Sequence, residues 1–221
     1  MNSAMLNALS GSLKGTEAAT VMEIFVLLTL LSVAPLLLVT LTSFTRIVVV
    51  LSFLRQALGT QQAPSNQIVI ALSLFLSFHI MAPVWQRIEA EAVTPYYQRQ
   101  IKPQAAIERA WSPLREFLLR HTRKADLALF TGGQLAADPA TVASTSLVPA
   151  FVISELKTAF QMAFMIYLPF LILDLVVASI LMSMGMMFLP PVLVSLPFKL
   201  VLFVLVDGWN LLVGSLIRSF A

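Results

Sequence analysis

Cysteine is absent from the 221 residues. That excludes disulfides, thiolate nucleophiles and cysteine-ligated metals, and it leaves no redox mark of compartment. Charge is scarce: Asp, Glu, Lys and Arg make up 11% of the chain, against about 25% in soluble domains. The two histidines, His79 and His121, lie far apart, and no H-E-x-x-H, P-loop, G-x-G-x-x-G or G-x-S-x-G occurs. No catalytic residue, metal site or cofactor is therefore expected. A net charge of +3 is too weak to argue for nucleic acid as a partner. Before about Val21 there is one early lysine, Lys14, and no basic region leading into an apolar core, so a convincing signal peptide is missing. No repeat or low-complexity segment is evident.

What the chain does have is long apolar runs, with 58% hydrophobic residues and a mean hydropathy of +0.88. These place it among integral membrane proteins. The run from Val21 to about Leu58 exceeds one span, since about 20 residues cross the hydrocarbon. Pro35 and Thr40–Ser43 predict a kink or break near its middle. Gly59 to Asn66 reads as a loop, and Gln67 to Met81 as a helix that Pro83 ends. Arg55 near the tip of this hairpin fits a cytoplasmic loop.

From Val84 to about Leu147 charges of both signs collect, as in a water-exposed insert. Ser112 and Pro113 read there as an N-cap and first-turn proline, and Leu114, Phe117, Leu118 and His121 follow on one helical face. Gly132-Gly133 and Asp138-Pro139 mark turns. Pro149 opens a helix expected to reach about Met184, with a kink at Pro169. Beyond Pro190, Pro191 and Pro197, the last helix is expected over Leu200 to Ile217. The predicted fold is all-α: an N-terminal segment 1–20, a first helical hairpin 21–83, a small extracytoplasmic domain 84–148 and a second hairpin 149–221.

Two groups of residues stand out. Met182, Met184, Met186 and Met187, with Gly185, Phe188 and a Pro-Pro pair, lie between apolar runs. Methionine is flexible and polarizable, so a ring of such side chains suits a gasket, while in a membrane helix it is also simple filler. The second group is polar. Glu155, Lys157, Gln161, Asp174, Lys199 and Asp207 sit in or beside apolar segments, where ionised groups are costly and usually paired. Asp174 lies seventeen residues from Lys157, about 26 Å along a helix, so its partner must come from another helix or another chain. Arg46 and Arg55, nine apart, point to opposite faces. Glu155 and Lys157, two apart, do not face each other. Pairs between subunits are the preferred expectation for Arg46, Arg55, Glu155, Lys157, Asp174, Lys199 and Asp207. Ser52, Ser73 and Ser77 are candidates for hydrogen bonds between helices. Asp207-Gly208-Trp209 reads as a helix defect with an interfacial tryptophan.

Thr42 to Gln67, Leu147 to Met187 and Leu196 to Leu216 closely resemble the FliP/SctR family of type III secretion export-gate proteins. Thr45-Arg46, Arg55 to Gly59 and Gln61-Gln62 are more similar to the flagellar branch than to the injectisome branch. The match covers both hairpins; the middle domain is similar only in position and character. Flagellar relatives typically begin with a cleavable signal sequence, from which this chain departs.

The resemblance implies a helical, funnel-like oligomer of several copies, a pentamer, joined by FliQ and FliR and near FlhB and FlhA. It implies a place in the flagellar basal body at the bacterial inner membrane, much apolar surface buried against neighbours, and unfolded flagellar subunits passing through the centre. It also implies that the methionines at 182, 184, 186 and 187 form the pore-constricting loop, with Phe188 where relatives often carry methionine. Two readings stay open beside this one: an injectisome export-gate subunit, and a small-ion or proton-coupled transporter with Asp174 as relay.

Overall fold

The computed structural model describes residues 3–60, 63–132, 142–186 and 188–220, with side chains described for these except 3–19 and 30. Met187, Gln61-Gln62, Gly133 and Asp138-Pro139 lie outside the described residues. The chain divides into two units, Met1–Val39 and Thr40–Ala221. The first is carried by α1 (Ser3–Leu41), whose stretch Thr20–Leu41 is long and apolar enough to span a membrane. The helix continues through Pro35 and stops at Thr42-Ser43, so of the two predicted break points the polar patch ends it. The small hydroxyl residues there turn toward a neighbouring helix, as described below.

The second unit is built on α2 (Phe44–Ala57) and α3 (Asn66–Ile88), joined by a turn in which Gly59 has φ +73° and the Ser65 side chain caps α3 by accepting from the Ile68 N–H. Proline does not end α3 where the sequence predicted. The helix runs through Pro83 to Ile88, then through a π-helical turn (Glu89–Val93) into the short α4 (Thr94–Tyr97). Pro83 removes one backbone donor and crowds the preceding turn, a cost of about 3 kcal/mol. Burial of Met81 and Val84 on either side, in a core shared with Phe117, Phe151 and Phe220, offsets it.

The charged stretch folds as α5 (Pro103–His121) and α6 (Lys124–Phe130). Helix α5 starts nine residues before the predicted Ser112 cap, because Pro103 already occupies a first-turn position and Pro113 is tolerated inside, buried. Its face is the predicted one: Phe117 and Leu118 are buried, and Leu114 packs against the same core.

Next comes α7 (Ser144–Ser183), forty residues long with Pro149 and Pro169 inside it. It begins ahead of Pro149, which stands sixth in the helix and costs it one backbone hydrogen bond. The last predicted helix is two: α8 (Pro191–Leu205) and α9 (Gly208–Arg218), bent by 63°. Asp207 takes the left-handed conformation at the bend, φ +50°. Gly208 is required beside it, since a Cβ there would lie 2.2 Å from the Phe203 ring.

Among the described residues the fold is all-α, with no strand. Helix α2 packs against α3 and α7, and α7 carries α6 and α8. One core joins Ile47, Val50 and Leu54 to Ala159, Phe170, Phe203 and Leu216; a second lies under α5. Among the described residues, three helical stretches are long and apolar enough to cross a membrane, four if the bent α8–α9 pair counts as one. This is an all-α membrane protein.

Candidate functional site

The methionine stretch closes α7 with a backbone motif. The Met186 N–H donates to the Leu181 carbonyl (2.9 Å) and the Gly185 N–H to the Met182 carbonyl (3.1 Å). This is the Schellman pattern, which satisfies carbonyls left open at a helix end and needs a left-handed residue, usually glycine. Gly185 supplies it with φ +76°. Pro190 and Pro191 then start α8 at its first turn. Held on this turn, Met182, Met184 and Met186 are exposed and Phe188 is fully so. A loop with four bare apolar side chains on a fixed backbone is unlike core filler, which would be covered.

The buried charges have partners inside the chain. Arg46 on α2, 3% exposed, makes a two-pronged contact with Glu155 on α7, whose side chain is fully buried. Its Nε donates to Glu155 Oε2 (2.9 Å), and a second guanidinium nitrogen donates to Oε1. The remaining nitrogen donates to the Ser219 carbonyl and hydroxyl, both at 2.9 Å, and the guanidinium lies 3.7 Å from the centre of the Phe220 ring. One arginine thus ties α2, α7 and the segment after α9. A network of hydroxyls lies beside it: Ser43 donates to Ser77 (3.1 Å), and Ser77 to Thr42 (3.3 Å). Ser73 donates instead within its own helix, to the Val69 carbonyl.

Toward the methionine loop, Lys199 on α8 donates to Asp174 on α7 (2.7 Å) and to the Ala57 carbonyl at the end of α2 (3.1 Å). A cation at a helix C-terminus is favourable. Ser195 donates to the other Asp174 oxygen (2.5 Å). The third pair joins Lys157 on α7 to Asp126 on α6, which also accepts from Ser154 (2.9 Å). Arg123 adds bonds from its side chain to Thr158 and Gln161. The hydrogen bond from the Lys157 ammonium holds the Asp126 carboxyl below its usual range, outweighing burial, which acts the other way.

Pairs between subunits were the expectation for this group; within the chain itself Arg46 pairs with Glu155, Lys157 with Asp126 and Lys199 with Asp174, because the long α7 lies against α2, α6 and α8 at once. Arg55 and Asp207 make no ion pair among the described residues; the Asp207 carboxylate accepts from the Asn210 side chain, at 3.1 Å. His121 is packed against Phe117 and Phe220, with ring centres 4.7 and 5.1 Å away. Burial, then the Arg46 and Arg120 charges, push its imidazole down to about 4. Among the described residues, no three metal-ligating side chains converge on one point.

The model of the FliP family matches residues 27–216, which take in most of both hairpins, the methionine loop and the three ion pairs. The chain belongs to the FliP family. It is 53% identical to the flagellar biosynthetic protein FliP of Bacillus subtilis (strain 168), over 97% of this chain and 98% of that one. It is 57% identical to the flagellar biosynthetic protein FliP of Pectobacterium carotovorum subsp. carotovorum, over 90% of this chain and 78% of the relative. With the protein of the same description from Aquifex aeolicus (strain VF5) it shares 50% identity, over 90% of this chain and 85% of the relative.

Within this FliP-family chain, reading the sequence did not single out Asp126, Ser154, Ser195, Ser219 or Phe220. Asp126 lies in a stretch rich in charges, and the serines have no charge to make them stand out. The one available signal was Ser195 four residues before Lys199, on the same helical face.

Proposed function

We propose that this chain is a core subunit of the flagellar type III protein export gate in the bacterial inner membrane. Several copies, a pentamer, assemble as a helical funnel and form with FliQ and FliR the channel for unfolded flagellar subunits, next to FlhB and FlhA. Family membership and the printed description of the relatives support the flagellar export role. The observation that carries the channel reading is the exposed methionine turn: apolar side chains of Met182, Met184, Met186 and Phe188 left exposed on a glycine-capped backbone. A collar of such side chains excludes ions by dewetting and parts for a polypeptide. The charged insert between the hairpins is the extracytoplasmic domain.

Asp174 serves packing in this reading. Its two oxygens are engaged by Lys199 and Ser195, and that supports a structural role over a proton relay. Transport of a polypeptide through such a gate asks no bond-making chemistry of the chain itself.

The test replaces Met186 and Met187 together with alanine and measures conductance of membranes carrying the assembled gate. The substituted gate is expected to leak small ions. An unchanged conductance sinks the gasket.

A further inference from the structure

The bend between α8 and α9 opens a hollow that the methionine turn and the buried ion pairs leave unused. A groove of about 620 Å³ follows both arms of the bend, lined by Leu54 of α2, Met165 and Phe170 of α7, Phe203 of α8 and Leu211 of α9. Ser215 of α9 is the one polar side chain in its lining. From Ser215 back to Gly208 and from Val206 to Leu202 the lining follows about 17 Å of helix. That is close to the depth of one leaflet, half of the ~30 Å hydrocarbon layer. Together α8 and α9 are long and apolar enough to form one broken span, which sets the groove at the level of acyl chains. A straight helix, about 10–12 Å across, does not follow a bend of 63°. A hydrocarbon chain, free to turn about each C–C bond, does.

A cation marks one end of the groove. Arg218 lies in the last turn of α9, three residues from Ser215 and seven from Leu211, so the three share a helical face. Its guanidinium folds back along the helix, since a Cβ at Gly214 would lie 3.4 and 3.5 Å from its two terminal nitrogens. The side chain is exposed and makes no ion pair among the described residues. Arg46 and Lys199, by contrast, are occupied by Glu155 and Asp174. Asp207 stands at the far end of α9, about 16 Å away along the helix, too far to take the guanidinium. A free basic side chain at the end of a span, beside an apolar groove, suits an anionic lipid headgroup.

We propose that this groove holds one acyl chain of an anionic phospholipid, with its phosphate on the Arg218 guanidinium and the Ser215 hydroxyl. The lipid fills the concavity that the bend opens between α7 and α9. The site needs only that the α8–α9 pair lies in a membrane, and it stands apart from the channel and its assembly.

The test uses the full-length chain, co-expressed with FliQ and FliR, purified and reconstituted in phosphatidylcholine vesicles. A minor share of the lipid is phosphatidylglycerol with a diazirine on one acyl chain. After irradiation, labelled residues are located by mass spectrometry. Label is expected on the α7 and α9 residues that line the groove, several-fold above that from the same dose of diazirine phosphatidylcholine. Arg218→Gln is expected to bring it down to the phosphatidylcholine level, and Arg218→Lys to keep most of it. Arg55→Gln, next to the groove residue Leu54 but on α2, is expected to leave it unchanged. Equal labelling by the two lipids, unaltered by Arg218→Gln, means bulk lipid only and overturns the site. Groove residues left unlabelled mean that a protein face covers them, and overturn the lipid. Loss of label with Arg55→Gln in place of Arg218→Gln overturns the assignment of the phosphate.

Discussion

Arg46 and Glu155 show what a buried pair demands of single residues. Replacing Arg46 with alanine strands a fully buried carboxylate and removes the guanidinium from Ser219 and Phe220. Breaking such a pair costs about 3–5 kcal/mol, and thermal unfolding in detergent is expected to reveal a loss of that size. Glu155→Gln keeps a hydrogen-bond acceptor and should lose less. His121 gives a pH dependence. Its folded pKa, about 4, lies below its ordinary 6.5, so the unfolded chain binds the proton more readily between those values. Stability is therefore full above about pH 6.5 and falls as pH drops toward 4. Asp126 does not contribute in that window, because its lowered pKa withdraws stability only below the ordinary carboxylate range. His121→Phe is expected to flatten the pH profile of the melting temperature from 6.5 down to 4; an unaltered slope would refute the assignment.

At the scale of elements, two glycines hold breaks that proline alone does not make. Gly185 has open space around its missing Cβ, so Gly185→Ala meets only the backbone cost of a left-handed residue, about 1–2 kcal/mol. The loop then loses its fixed turn while the helices stay folded, and the expected readout is raised ion leak without loss of assembled complex. Gly208 is the opposite case, since Phe203 lies against it. Gly208→Ala alone is expected to destabilise strongly, and Phe203→Ala in the same chain to recover part of that loss. A non-additive double-mutant cycle by thermal unfolding checks this. Prolines 83, 113, 149, 169 and 197 all sit inside helices. At Pro113, which is itself buried, tertiary packing overrode the local preference.

For the whole molecule, the apolar surface is the governing fact. Only 11% of the most apolar window of α7 is buried by its own chain. Phe160, Phe164, Met165 and Leu175 on α7 and Phe75 on α3 are exposed, as are Leu193, Phe198, Val201 and Val204 on α8. The chain expressed with FliQ and FliR is expected to extract from membranes as a single complex containing several copies. Its mass in detergent checks this, and a monomer free of partners would return the transporter reading to the front.

Composition by itself determined the membrane class, because so few charges cannot solvate so much apolar chain. The unbroken order of Met182 to Phe188 around Gly185 made the loop legible, as a turn signal depends on neighbours in sequence. The list of costly charges was legible for the same reason, since Asp174 stands out against its own flanking residues. Their partners were not. Glu155 finds Arg46 across 109 positions and Lys199 finds Asp174 across 25, contacts fixed by how α7 lies against α2 and α8. A sequence displays the cost of burying a charge; only the packed helices decide which opposite charge relieves it.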